Sequence, residues 1–203
     1  MSAMDRDPET FADELAALKR RGCAILVVGP DGGPSRCGDL LGADDRGRER
    51  LVVDASHAHG VDGSSIHAGA PDLRSAVAHA PGEAPGADAP DLDAITTDLI
   101  DRIDRLDAGS LDPGELRVCF GDLSALDPGD GDALVSFLET VADRVRGAAG
   151  MGHGHLPDTS PLRAAVEPLF DVTVEVRPAP GGREQRWLLH DAGLDSGWIA
   201  VEE

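Results

Sequence analysis

The chain has 203 residues, room for one ordinary α/β domain, and carries 38 acidic residues against 18 basic ones, a formal net charge of −20. A surface of that sign repels phosphates and so excludes sequence-independent nucleic-acid binding. No apolar run approaches the ~20 residues of a membrane-spanning helix, and the acidic opening MSAMDRDPET does not read as a secretory or transit peptide.

Seventeen of the 18 basic residues are Arg, and Lys19 is the only lysine. The acids are spread along the whole chain, between apolar segments, so they do not form an acidic tail. Self-repulsion of this size nearly vanishes in molar salt, where the Debye length is about 3 Å. The composition therefore predicts the solvated surface of a halophile's cytoplasmic protein. Cys23, Cys37 and Cys119 contain no CxxC pair, and Cys23 and Cys119 sit in apolar runs, which predicts buried thiols in a reducing compartment.

In chain order, Thr10 to Arg21 places Phe11, Leu15 and Leu18 on one helical face, with acids early and bases late. Cys23 to Val28 (CAILVV) is a continuous apolar run, the mark of a strand covered on both faces. The loop GPDGGPSR and a short helix CGDLLG follow, then a second buried strand from Leu51 to Asp54. Residues 55–90 are rich in Ala, Gly, Pro, His and Asp; they are expected to hold one short strand, a short helix DLRSAVAHA and a flexible loop over 81–90.

Asp91 to Leu106 is strongly amphipathic, with Leu92, Ile95, Leu99, Ile103 and Leu106 on one face. A turn at Pro113–Gly114 leads into a third strand, Leu116 to Phe120, and Asp132 to Val145 repeats the helical spacing. Gly150 to Leu156 is short and alternating, and Ser160 to Phe170 reads as a helix with Pro161 in its first turn. Three strands close the chain: Val172–Val176, Arg186–His190 and Trp198–Val201. The order predicts a single domain over 1–203, a three-layer α-β-α fold with a mostly parallel sheet and antiparallel C-terminal edge strands.

The glycine loop between the first strand and the following helix stands where a phosphate-binding loop would, with Gly29, Gly32, Gly33, Ser35 and Arg36 as candidate nucleotide contacts. With Gly29 as the first glycine of G-x-x-x-x-G-K-[ST], the second falls on Pro34, the lysine on Ser35 and the hydroxyl on Arg36. Pro34 removes a backbone donor, and Asp31 brings a carboxylate to a phosphate's place. No G-x-G-x-x-G occurs here either. RVCFGD ends in Asp122, the position that holds Mg²⁺ in P-loop proteins, but Leu123 and Ser124 follow where an acid would activate water. His153 and His155, two apart on a strand, and His57 and His59, two apart after another, form a candidate Zn²⁺ or Ni²⁺ set if those strand ends adjoin. No G-x-S-x-G elbow supports a Ser-His-Asp site.

The segments LKRRGCAILVVG, LDPGELRVCFGDLSAL, MGHGHLP, PLFDVTVEVR and QRWLLHDAGLDSGWIAV together resemble a haloarchaeal family similar to the RecA/KaiC-type ATPase core but without a working Walker A motif. The resemblance covers almost the whole chain outside 55–90. It implies a RecA-like core, and of the family's catalytic positions only Asp122 is matched. The family's G-H-F-H-L-P form stands here as Gly152-His153-Gly154-His155-Leu156-Pro157, with Gly in place of the aromatic.

The leading expectation is a noncatalytic, regulatory or signalling RecA/KaiC-like domain with a protein partner, no catalytic residue and no cofactor. Its alternatives are an ATP/Mg²⁺-binding relative with a divergent loop, and a metal-binding protein using the paired histidines. Self-association through subunit edges is compatible with either RecA-type reading.

Overall fold

A computed structural model describes residues 8–30, 48–54, 64–67, 91–109, 111–127, 129 and 131–201. The helices are α1 (Pro8–Arg21), α2 (Leu92–Asp107), α3 (Leu123–Leu126), α4 (Gly131–Gly147) and α5 (Arg163–Val166). The strands are β1 (Cys23–Gly29), β2 (Glu49–Asp54), β3 (Ser64–His67), β4 (Leu116–Asp122), β5 (Met151–Pro157), β6 (Val172–Ala179), β7 (Gly182–Leu189), β8 (Leu194–Asp195) and β9 (Ile199–Val201). All nine join one sheet in the order β3-β2-β4-β5-β1-β6-β7-β8, with β9 alongside β7. Strands β1 to β6 pair in parallel, and β7 to β9 are added through antiparallel pairings. The fold is mixed α/β, a mostly parallel sheet with antiparallel strands on its C-terminal side, as the alternation of elements predicts.

The sheet is covered on both faces. On one face α2 and α4 lay Leu99, Ile103, Leu134, Leu138 and Val141 against Ala24, Leu26, Val28, Val53, Val118 and Phe120. The buried face of α2 is the i, i+3, i+4 stripe legible in the sequence. Its first turn is capped by Asp91, whose carboxylate accepts from Ala94 N at 3.0 Å, a contribution of about 1 kcal/mol. On the other face α1 sets Phe11, Leu15 and Leu18 against Cys23, Ile25, Val27, Met151, Val172 and Val174.

Strand β5 runs through the middle of the sheet, between β4 and β1. Its glycines and histidines alternate, so the two residue types occupy opposite faces. A Cβ on Gly152 would stand 2.9 Å from Phe120 Cζ, and one on Gly154 would stand 3.0 Å from Leu123 Cδ2. The missing side chains are the space into which Phe120 and Leu123 pack. Phe120 in turn meets Phe137 of α4 edge to face, with centroids 6.3 Å apart.

The structure departs from the predicted elements in three places. The helix expected over 160–170 divides into α5 and a 3₁₀ turn, Glu167–Leu169, because Pro168 has no N–H to continue the i→i−4 ladder. The hairpin of β6 and β7 is longer than Val172–Val176 and Arg186–His190, closing with Ala179 opposite Gly182. The helix α3 follows β4 directly, capped by Asp122, whose Oδ1 accepts from Ser124 N. The expected short strand within 55–90 is β3; the segments CGDLLG, DLRSAVAHA and 81–90 lie outside the described residues.

Gly152→Ala is expected to destabilise the fold by about 1–3 kcal/mol, the usual cost of overpacking. Chemical denaturation of Gly152→Ala, Phe120→Leu and the double variant checks this. The double variant should lose less than the sum of the singles; strict additivity would contradict the contact.

Candidate functional site

The carboxyl ends of parallel strands are where open α/β sheets bind ligands. Here Gly29 ends β1, Pro157 ends β5 and Asp122 ends β4. With β5 between them, β1 and β4 lie about 10 Å apart at two strand spacings. Gly29 is held at this edge by its carbonyl, which accepts from Asp158 N at 3.1 Å. Of the sequence-predicted phosphate contacts, Gly29 and Asp122 therefore share one edge. Gly32, Gly33, Ser35 and Arg36 lie outside the described residues, as do His57 and His59.

The second cluster lies inside the sheet. His153 and His155 project from one face of β5, with ring centroids 5.3 Å apart and planes at 81°. Cys119 of β4 is in register with His153. Beyond it the pairing shifts: Asp122, three positions after Cys119 in β4, pairs with His155, two positions after His153 in β5. Gly121 takes up this bulge with φ +66°, and a Cβ there would stand 2.7 Å from Val53 O. A residue with a side chain is excluded on both counts. Gly121 N also donates to Cys119 Sγ at 3.4 Å, which fixes the sulfur beside the histidines.

One donor atom each of Cys119, His153 and His155 lies within 4.8 Å of the other two, and all three residues are buried. Burial holds the His153 imidazole well below the usual histidine range, and neighbouring His155 and Arg117 push the same way. His153 is thus a neutral ring, and its buried Nε2 has no hydrogen-bond partner. Arg117, two residues before Cys119, donates through Nη1 to Met151 Sδ, while its Nε is buried without a partner. Burial and the nearby Arg48 cation both lower its affinity for a proton.

The histidine pair was legible in the sequence; the third donor was not. Cys119 reads there as a buried thiol in an apolar strand, and only the β4–β5 pairing brings it to the histidines. Its burial is as predicted, at 0 % exposure. Its free state is not: Cys119 is disulfide-bonded, whereas Cys23 is free. Burial, and then the charge of Asp171, raise the Cys23 thiol to about 11.

Comparison with protein families matches residues 22–176 to a model described as a family of unknown function. The chain belongs to DUF7504. The matched DUF7504 region opens just before β1 and ends within β6, so it contains the parallel sheet, both ends of the carboxyl edge, and the Cys119, His153 and His155 cluster. It leaves out α1 and β7 to β9. No curated protein matches the chain.

A thiol at about 11 is about 1 % as ionised at pH 8 as one at 9, so native Cys23 should alkylate about 100-fold more slowly than in the unfolded chain from ionisation alone. Iodoacetamide labelling of native and urea-unfolded protein, followed by mass spectrometry, checks this. The same shift works against the fold in alkali. The unfolded chain loses this proton first, so stability should fall as pH rises from about 9 towards about 11.

Proposed function

We propose that the chain is a noncatalytic domain of the RecA/KaiC type, regulatory or signalling in role, working through a protein partner in a salty cytoplasm. The observation that carries this reading is the position of Lys19. The chain's only lysine lies in α1, with its carbonyl 3.7 Å from the place of a Gly114 Cβ, in the turn ahead of β4. That is the amino edge of the sheet. Strand β1 has seven residues, so Gly29 lies a strand length away, about 23 Å at about 3.3 Å per residue. No lysine of this chain meets the outer phosphates of a nucleotide at the carboxyl edge.

The surroundings of Asp122 support the same conclusion. One carboxylate oxygen caps α3, and Leu123, which is buried, and Ser124 follow where an acid would activate water. The parallel sheet with antiparallel C-terminal strands has the form that the RecA/KaiC resemblance implies. A protein-facing role draws support from Trp198 and Ile199, the exposed large hydrophobics among the described residues, with the Arg177 guanidinium stacked 3.8 Å over the Trp198 ring. The alternative, a nucleotide-binding protein with a divergent loop, draws on Gly29 and Asp122 ending strands on one edge.

Calorimetric titration with ATP and Mg²⁺ in molar KCl, with phosphate release measured in parallel, separates the two. No binding at micromolar nucleotide and no turnover is the expected result. Micromolar binding that Asp122→Ala abolishes would overturn the noncatalytic reading. On the partner side, a protein retained at native salt by the wild-type chain should be lost with Ile199→Asp; retention unchanged by that substitution would count against this face.

A further inference from the structure

The donor set of Cys119, His153 and His155 is more than a sheet interior needs. Their exposures are 0 %, 2 % and 1 %, in a layer where Ile25 and Val27 of β1 pair with the two histidine positions. A buried polar atom without a partner costs roughly 1–3 kcal/mol, and His153 Nε2 is such an atom. A bond from that nitrogen to a cation would remove the cost. In a closed tetrahedral site, with metal–sulfur distances of about 2.3 Å and metal–nitrogen distances of about 2.0–2.1 Å, neighbouring donors lie about 3.3–3.8 Å apart. The observed limit of 4.8 Å closes with a shift of about 1 Å in side-chain position.

We propose that His153, His155 and the reduced thiolate of Cys119 hold one thiophilic divalent cation, Zn²⁺ by preference, with the fourth position taken by water or a further donor. The chemistry of the set selects the ion. Two imidazoles and a thiolate suit borderline-soft metals and lack the oxygen ligands that Mg²⁺ and Ca²⁺ require. One thiolate cancels half the charge of the ion, and the Arg117 cation nearby opposes the remainder, so the fourth ligand is best an anion. The ion would tie β4 to β5 across the bulge. Buried on all three ligands, it would serve the fold.

The disulfide at Cys119 and the ion exclude one another, because a disulfide sulfur has no thiolate to offer. A phosphine reductant returns the thiol: it takes the oxygen of one water to become the phosphine oxide, and its two electrons and the two protons cleave the S–S bond to two thiols. Metal binding then expels the Cys119 proton. The site is accordingly open only to the reduced chain.

The test uses the full chain in molar KCl, either phosphine-reduced and then freed of reductant without air, or left oxidised. Zn²⁺ is titrated in competition with a chromogenic chelator, and Co²⁺ is followed by its absorption spectrum. The reduced chain should bind one equivalent of Zn²⁺ and give a thiolate-to-cobalt charge-transfer band. The oxidised chain, His153→Gln and Cys119→Ser should each bind about 100-fold more weakly or worse, beyond the loss usual for an outer-shell change, and Cys119→Ser should lack the band. Absence of stoichiometric binding by the reduced chain would overturn the proposal, as would equal affinity in the oxidised chain or in a folded His153→Gln variant. If a variant fails to fold, by far-ultraviolet circular dichroism, the reduced and oxidised wild-type chains decide alone.

Discussion

Strand β5 is buried along both faces, but on one of them two successive positions, Gly152 and Gly154, carry no side chain, and the rest of the structure adjusts to that asymmetry. Gly152 and Gly154 let Phe120 and Leu123 lie directly on the strand backbone. The layer of α2 and α4 closes over them through Phe137, Leu138 and Val141. Close packing of this kind tolerates little added volume, since interiors are as dense as organic crystals. On the opposite face the same alternation delivers two imidazoles beside Cys119 and Arg117, in a layer that is otherwise largely apolar. The glycines that make the helix side compact thus commit the histidines to the other side, where the buried Nε2 of His153 has no hydrogen-bond partner. The Gly121 bulge in β4 completes the arrangement by holding Cys119 Sγ against a backbone N–H beside His153.

The arginines use the acidic composition to join elements. Arg146 of α4 reaches Asp171, whose Oδ2 also accepts from Ala24 N at 2.7 Å, so one carboxylate fastens the helix to the entries of β1 and β6. Arg163 pairs with Glu167 and Glu175, and Arg186 with Glu175 and Asp195, linking α5 to the antiparallel strands. Burial works against the Glu167 charge, but hydrogen bonds from Arg163 and Thr173 outweigh it and hold the carboxyl below its ordinary value. Its contribution to stability is present above the ordinary carboxylate range and lost as pH falls through and below it. These ties are partly exposed and weaken with salt. Much of the cohesion that survives in molar salt is therefore apolar, in the two layers on either side of the sheet.

Sequence pattern alone reaches the elements whose period is strong. Leu92, Ile95, Leu99 and Ile103 mark α2, and the apolar run CAILVV marks a doubly covered strand. Segment MGHGHLP is harder: two glycines lower strand propensity, yet the segment forms a full central strand, because glycine there answers to neighbouring side chains and not to intrinsic preference. The histidine pair is visible as a two-residue spacing. Its third donor is not, because Cys119 lies 34 residues earlier and meets His153 only through a parallel pairing, which no local signal encodes. The break at Pro168 was legible in principle, since a proline N cannot donate. The glycine loop and the first histidine pair lie outside the described residues.

The central claim is that the polar face of β5 is built around a cation. X-ray absorption at the zinc edge, on the reduced full-length protein loaded with one equivalent of Zn²⁺, tests it most directly. The account predicts a first shell that contains one sulfur at about 2.3 Å together with imidazole nitrogens at about 2.0–2.1 Å. A shell of oxygen and nitrogen alone, without sulfur and without imidazole scattering, would contradict it.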